Sequence, residues 1–141
     1  MGDIGISLEL RYEDVPTWLK RVYHRYDFQM NVNYFYQLPD PVLGVHRHYG
    51  TDQIRKGTHF VNSSRYSNPT LDQLLDSGAG EPDAAKRTAA YNEIQQILAN
   101  DMPVVNLFEL EFLVVYNNKL KGAYGSAMGA YGSFREAYLD D

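Results

Sequence analysis

The sequence predicts a mixed α and β chain: a strand–helix–strand unit, then helices, then strands near the C-terminus. Three observations carry this. Two stretches with strict apolar alternation, 4–11 and 27–36, flank a helix signal. Two later stretches, 68–78 and 83–102, carry helix caps and apolar residues at helical spacing. A run rich in β-branched and aromatic residues, 104–116, follows them.

In the first element Ile4, Ile6, Leu8 and Leu10 share one side, and Gly5, Ser7, Glu9 and Arg11 the other, the pattern of a half-buried strand. Asp14 is placed to cap the next element. Pro16 falls in its first turn, where a missing N–H costs nothing. Val15, Trp18, Leu19 and Val22 then form an apolar stripe, and His24 at the helix end is explained by the helix dipole. In the second alternating stretch Phe28, Met30, Val32, Tyr34 and Tyr36 share a face. Strand, helix and strand at this length predict a right-handed βαβ unit with parallel strands.

The stretch Asn33 to Pro41, "NYFYQLPDP", ends that strand with rings and amides and then two prolines around one aspartate. Proline supplies no N–H and restricts the residue before it, so the chain must leave the sheet abruptly. A short helix is expected near Val42 to Tyr49, and a short extended piece from Phe60 to Tyr66. Asn68 then caps a helix that begins at Pro69, turns Leu71, Leu74 and Leu75 inward and stops at Gly78. Asp83 caps the strongest helix signal. Its buried stripe is Ala90, Tyr91, Ile94, Ile97 and Leu98, and Pro103 ends it. Val104 to Tyr116 reads as one long strand or two, and Asn117-Asn118 marks a turn. The tail repeats "GAYGSAM" at Gly122 as "GAYGSFR" at Gly129; two copies are too few for a solenoid, and the plain reading is a Gly-rich loop.

Composition narrows the function classes. The chain has 141 residues, enough for one domain that buries roughly 65–70% of its unfolded surface. Its net charge is −5, and its 13 basic residues are scattered among 18 acidic ones, so it lacks the basic cluster that nucleic acid demands. With no cysteine, disulfides and thiolate metal sites are excluded. Twelve Tyr, six Phe and one Trp give an aromatic content suited to core edges and recognition surfaces. The N-terminus lacks a charged region followed by an apolar one, and the apolar runs fall short of the ~20 residues of a membrane helix.

No nucleophile elbow, Ser-x-x-Lys, His-Glu-x-x-His or phosphate loop is present. Glu109 and Glu111, two apart on a strand, would lie about 7 Å apart on one face, within the range of an inverting glycosidase pair. A solvated strand face explains them too. His46 and His48 on an extended backbone could meet one metal, with Asp52 or His59 as the nearest third ligand; two exposed loop histidines are the plainer reading. No cofactor is expected. The stretch around Tyr34 and Tyr36 has the chemistry of a non-covalent pocket wall, and equally that of a core strand end followed by a loop.

Five segments in order, "IGISLEL", "YDFQMNVNYFYQLPDP", "NSSRYSNPTLDQLLDSG", "EPDAAKRTAAYNEIQQILANDMPVVNLFE" and "NNKLKGAYG", span about Ile4 to Gly125. Together they resemble the C-terminal part of the extracellular solute-binding proteins of ABC importers, in the peptide/nickel class, family 5. The resemblance implies a two-lobed fold of the periplasmic-binding-protein type (type II) that closes on its ligand, with no enzymatic step. It implies that this chain is a fragment, mostly of one lobe: residues 1–121 as an α/β ligand-binding lobe fragment and residues 122–141 as a Gly/Tyr-rich C-terminal segment. The parent would be periplasmic or face the outside, would carry the export signal this stretch lacks, and would pass a small solute or peptide to a membrane permease. A fragment with an exposed aromatic patch could also pair with a second copy of itself.

In peptide-binding members the strand ends in an aspartate, three residues ahead of the Asp-Pro aspartate, that holds the peptide's α-amine. Here Asp40 is the Asp-Pro aspartate and Gln37 stands three before it. An amide cannot neutralise an ammonium, and burying that cation beside it would cost on the order of several kcal/mol. Neutral or anionic solutes, or peptides held differently, follow. The resemblance thus implies that Tyr34, Phe35, Tyr36 and Gln37 sit where the strand meets the cleft, with Tyr34, Tyr36 and Gln37 ligand-facing, Asn62 and Tyr66 from the next segment beside them, and Asp40 as a structural cap. Two other readings stay open: a stand-alone Tyr-rich interaction domain, and a hydrolase using Glu109 and Glu111.

Overall fold

The computed structural model describes residues 2–36, 38–110, 113–123 and 131–140. Among them the regular structure is mostly helical, with one small two-stranded sheet. The elements are α1 (Val15–Leu19), running directly into a wider π-helical turn (Lys20–Arg25), then α2 (Val45–Tyr49), α3 (Pro69–Gly80), α4 (Ala84–Asp101), β1 (Leu120–Lys121) and β2 (Tyr138–Leu139). Single 3₁₀ turns occur at Gly2–Ile4, Pro41–Leu43 and Thr51–Gln53.

Helices α1, α3 and α4 begin at side-chain caps. The Asp14 carboxylate accepts the Thr17 N–H at 2.9 Å, Asn68 accepts from Thr70 and Leu71, and Asp83 accepts from Ala85 and Lys86. Helix α4 ends at Met102, which adopts a left-handed conformation and returns its N–H to the Leu98 carbonyl just before Pro103. Gly78 is not the stop expected of it. Helix α3 continues to Gly80, and Gly78 is buried where a Cβ would stand 3.2 Å from the Tyr91 ring. Glycine is needed there for the close approach of α4.

Helices α3 and α4 pack together over Leu71, Leu75, Tyr91 and Ile94, with Val45, Tyr49 and Tyr66 closing the edges. A second, smaller core joins Val22, Tyr23 and Val61, flanked by Trp18, Leu19 and Phe28. Trp18 meets the Tyr23 ring edge-on at 5.7 Å. Val15, expected in that buried stripe, is exposed because the stripe begins one turn later.

The expected βαβ unit does not form. The sole ladder among the described residues is the antiparallel pair β1–β2, with Leu120 opposite Leu139. The first alternating stretch starts in a turn closed by the Gly5 N–H on the Gly2 carbonyl, and its apolar members Ile4, Ile6, Leu8 and Leu10 are exposed. Met30, Val32 and Tyr34 are exposed as well, as are Val105, Leu107, Phe108 and Leu110. A strand needs a neighbour for its backbone N–H and C=O groups, and none of these stretches has one among the described residues. Residues 60–66 are irregular rather than extended, with left-handed backbone at Phe60 and Arg65. The turn after Tyr116 is formed by Asn117, whose side chain accepts the Lys119 N–H and whose carbonyl accepts the Leu120 N–H. Most of the Gly-rich repeat, residues 124–130, lies outside the described residues.

Candidate functional site

The stretch before the Asp-Pro turn is held by Tyr23, His48 and Arg47. Asn33 donates to the Tyr23 hydroxyl at 3.3 Å and accepts the Tyr34 N–H at 2.8 Å. The Phe35 ring lies 3.7 Å, centroid to centroid, from the ring of His48 on α2. Arg47, next to it on α2, donates to the Tyr36 carbonyl at 3.3 Å. Phe35 thus turns inward, while Tyr34 and Tyr36 face solvent with 58% and 39% of their surface exposed. Tyr131 meets Tyr36 edge-on at 5.3 Å. Gln37 lies outside the described residues.

The turn itself is rigid. Asp40 accepts the Val42 N–H at 2.9 Å and pairs with Arg87 at 2.7 Å. The Arg87 guanidinium, followed by the Val42 N–H, holds the Asp40 carboxyl below the usual carboxylate range. Arg87 also donates to the Gly78 carbonyl and stacks on Tyr91, so the turn is tied to both long helices. Sequence reasoning did not name Arg87 or Arg47. The usable signal for Arg87 was its position one helical turn before Tyr91, on the edge of the buried stripe.

Asn62 and Tyr66 belong to the irregular stretch 60–66. Asn62 is buried, donates to the Gly50 and Tyr66 carbonyls at 3.0 and 2.8 Å, and accepts from the Ser64 hydroxyl. Tyr66 donates to Asp101 at 2.5 Å; burial first, then the Asp101 carboxylate, push its hydroxyl up to about 12.

Because residues 45–49 are helical, His46 and His48 point apart, which corrects the extended-backbone geometry on which a shared metal depended. His46 meets the Tyr91 hydroxyl at 3.1 Å, and burial lowers its pKa against the pull of Asp76, Asp52 and Asp40. Burial, helped by neighbouring Arg47, depresses His48 to about 4. Among the described residues no three His, Cys, Asp or Glu groups converge on a metal position. A depression of about 210 Å³ beside His46 is walled by Asp52, Asp72 and Asp76. Glu109 is exposed, and Glu111 lies outside the described residues. No helix among the described residues is long and apolar enough to cross a membrane.

Comparison with known proteins gives distant, partial similarity. The chain is 29% identical over 123 residues to the probable D,D-dipeptide-binding periplasmic protein DdpA of Escherichia coli, covering 86% of this chain and 23% of that protein. It is 26% identical over 70 residues to the peptide transport periplasmic protein SapA of Haemophilus influenzae, covering 50% of this chain and 12% of that one. Protein XP55 of Streptomyces lividans is 36% identical over 66 residues, covering 47% and 12%. The chain therefore spans between about an eighth and a quarter of the length of these relatives. No family profile matches, and no solved structure matches.

Proposed function

We propose that this chain supplies part of one wall of the ligand cleft in a periplasmic or outward-facing solute-binding protein of an ABC importer, of the family 5 type, whose ligand is a peptide or peptide-like solute. The observation that carries the reading is similarity over 86% of the chain to a protein named for dipeptide binding, supported by partial similarity to a peptide transport protein. The local geometry is compatible with it: two solvent-facing tyrosines, Tyr34 and Tyr36, precede a turn fixed by Asp40 and Arg87. The described residues beside them are rings, amides and an ion pair, which suits capture without chemistry.

In this reading residues 1–121 belong to the ligand-binding lobe and residues 122–141 to a C-terminal segment, and the remaining wall comes from a longer polypeptide. The uncovered apolar runs at 4–10, 30–34 and 105–110 suit strands that a larger sheet completes. Gln37 in place of an acid disfavours a free ammonium at that point. Arg47 Nε is buried and has no hydrogen-bond partner among the described residues, one residue along α2 from the ring that supports Phe35. The Nη2 side of the same guanidinium, which donates to the Tyr36 carbonyl, is the exposed part of Arg47 that a ligand carboxylate would meet. In this reading Tyr36 and Gln37 are the principal ligand-facing residues, with Tyr34 and Tyr66 as secondary ones; Asn62, buried and bonded to the Gly50 and Tyr66 carbonyls, supports the loop from within instead of facing a ligand.

The test uses the polypeptide encoded by the complete open reading frame. Calorimetry with a panel of di- and tripeptides, N-acetylated and C-amidated in separate arms, should show micromolar or tighter binding that tolerates N-acetylation and is lost on amidation. Tyr36→Ala and Arg47→Gln should each weaken it at least about tenfold, the scale of one good charged or aromatic contact. Binding that ignores both substitutions would remove this wall from the cleft, and a reading frame that ends with these residues would remove the importer.

A further inference from the structure

A second feature lies away from the Asp-Pro turn. His24, in the last turn of the first helical segment, places its Nε2 2.9 Å from the Nε2 of His59, 35 residues further along the chain. The ring centroids are 5.1 Å apart and the planes are tilted by 54°. Both side chains are exposed.

The approach is built by the backbone. The Gly57 N–H donates to the Tyr23 carbonyl at 2.8 Å, which fastens the loop carrying His59 onto the helix end carrying His24. Gly57 has φ +89°, a conformation that favours glycine, and its backbone passes the Nδ1 side of the His24 ring. The loop is closed by the Thr58 N–H on the Arg55 carbonyl. On the other side, the buried Tyr23 ring lies 5.8 Å from that of His59. Both histidines therefore start from anchored backbone, and ordering them for a ligand costs little additional conformational freedom.

Two neutral imidazoles make this contact when the Nε2–H of one donates to the Nε2 lone pair of the other. The same separation suits cis ligation. Metal–imidazole bonds of about 2.0–2.1 Å at a right angle put the two nitrogens about 2.9 Å apart. We propose that His24 and His59 form a bidentate site for a divalent first-row transition-metal ion of intermediate softness, Cu²⁺ before Zn²⁺, with water in the remaining positions. Nitrogen-only donors select such ions over Mg²⁺ and Ca²⁺, which take oxygen ligands. Among the described residues no third His, Cys, Asp or Glu joins the pair, so the coordination sphere stays open on the solvent side. The ion would clasp the helix end to the 55–60 loop and stabilise the smaller core beneath it.

Isothermal titration of the chain with Cu²⁺ and Zn²⁺ at pH 7.5, in a non-chelating buffer, tests the site. One Cu²⁺ per chain is expected, bound more tightly than Zn²⁺, with Ca²⁺ giving no heat and Cu²⁺ raising the melting temperature. His24→Ala and His59→Ala should each weaken Cu²⁺ binding at least about tenfold, while His46→Ala leaves it unchanged. Circular dichroism checks that the variants fold. Should either fail to fold, proton NMR of the unaltered chain decides instead: substoichiometric Cu²⁺ should broaden the ring resonances of His24 and His59 first. Absence of binding, binding that survives both substitutions, or broadening centred on His46 or His48 would overturn the site.

Discussion

Arg87 Nη2 donates to Asp40 Oδ1 at 2.7 Å, joining residues 47 apart in sequence. One oxygen of Asp40 thereby serves the helix α4 guanidinium and the N–H of Val42 together. The pair fixes the turn that follows Tyr34 and Tyr36, so the exit of the candidate wall is held by helix α4.

Arg87→Ala should therefore lower the melting temperature and increase protease cleavage within Leu38 to Gly44. Asp40 titrates below its ordinary 3.8 when folded, so its stabilisation is complete above that value and is lost as the pH falls through the lowered one. Asp40→Asn should flatten the acid limb of the stability curve below about pH 4. An unchanged limb would show that the pair carries no stability.

His48 provides a second, higher pH window. Its pKa falls from the ordinary 6.5 to about 4 because the charged ring is poorly solvated beside Phe35 and Arg47. Between those values the unfolded chain binds more protons than the folded one, so stability is full above 6.5 and declines as the pH drops towards 4. His46, lowered in the same direction, adds to the decline. Thermal melts from pH 8 to 4 should show this slope, and His48→Gln should reduce it.

The α3–α4 core is small, so each side chain in it matters. Ile94, at 1% exposure, should cost about 1 kcal/mol when shortened to valine, read from the urea midpoint. Leu71→Ala, at a fully buried position, should cost about 2–5 kcal/mol.

Gly78→Ala opposes two effects. Alanine gains about 1 kcal/mol of helix propensity. Its methyl group would crowd the Tyr91 ring at 3.2 Å, and that ring is buried and hydrogen-bonded to His46. We expect a net loss of about 1 kcal/mol or more, the usual cost of overpacking. A stabilised variant would show that α3 and α4 can slide apart freely.

Asn68→Ala should cost about 1 kcal/mol, because two N–H groups of α3 lose their acceptor and Asp101 loses a donor. Asp83→Ala should do the same to α4.

The sequence by itself determined what is local. Asp14, Asn68 and Asp83 cap helices because a side-chain oxygen reaches an N–H two or three residues away, whatever the rest of the chain does. Pro103 ends α4 and Asn117 makes its turn for the same reason of short range. The apolar alternation at 4–11 and 27–36 was equally legible, but a strand exists only through a partner, and pairing is decided by distant chain. Tertiary structure alone made Gly78 a notch for Tyr91, brought His46 to the Tyr91 hydroxyl, joined Asp40 to Arg87 and set His24 against His59. Each of those contacts closes a loop of many residues, and no short-range rule encodes which two ends will meet.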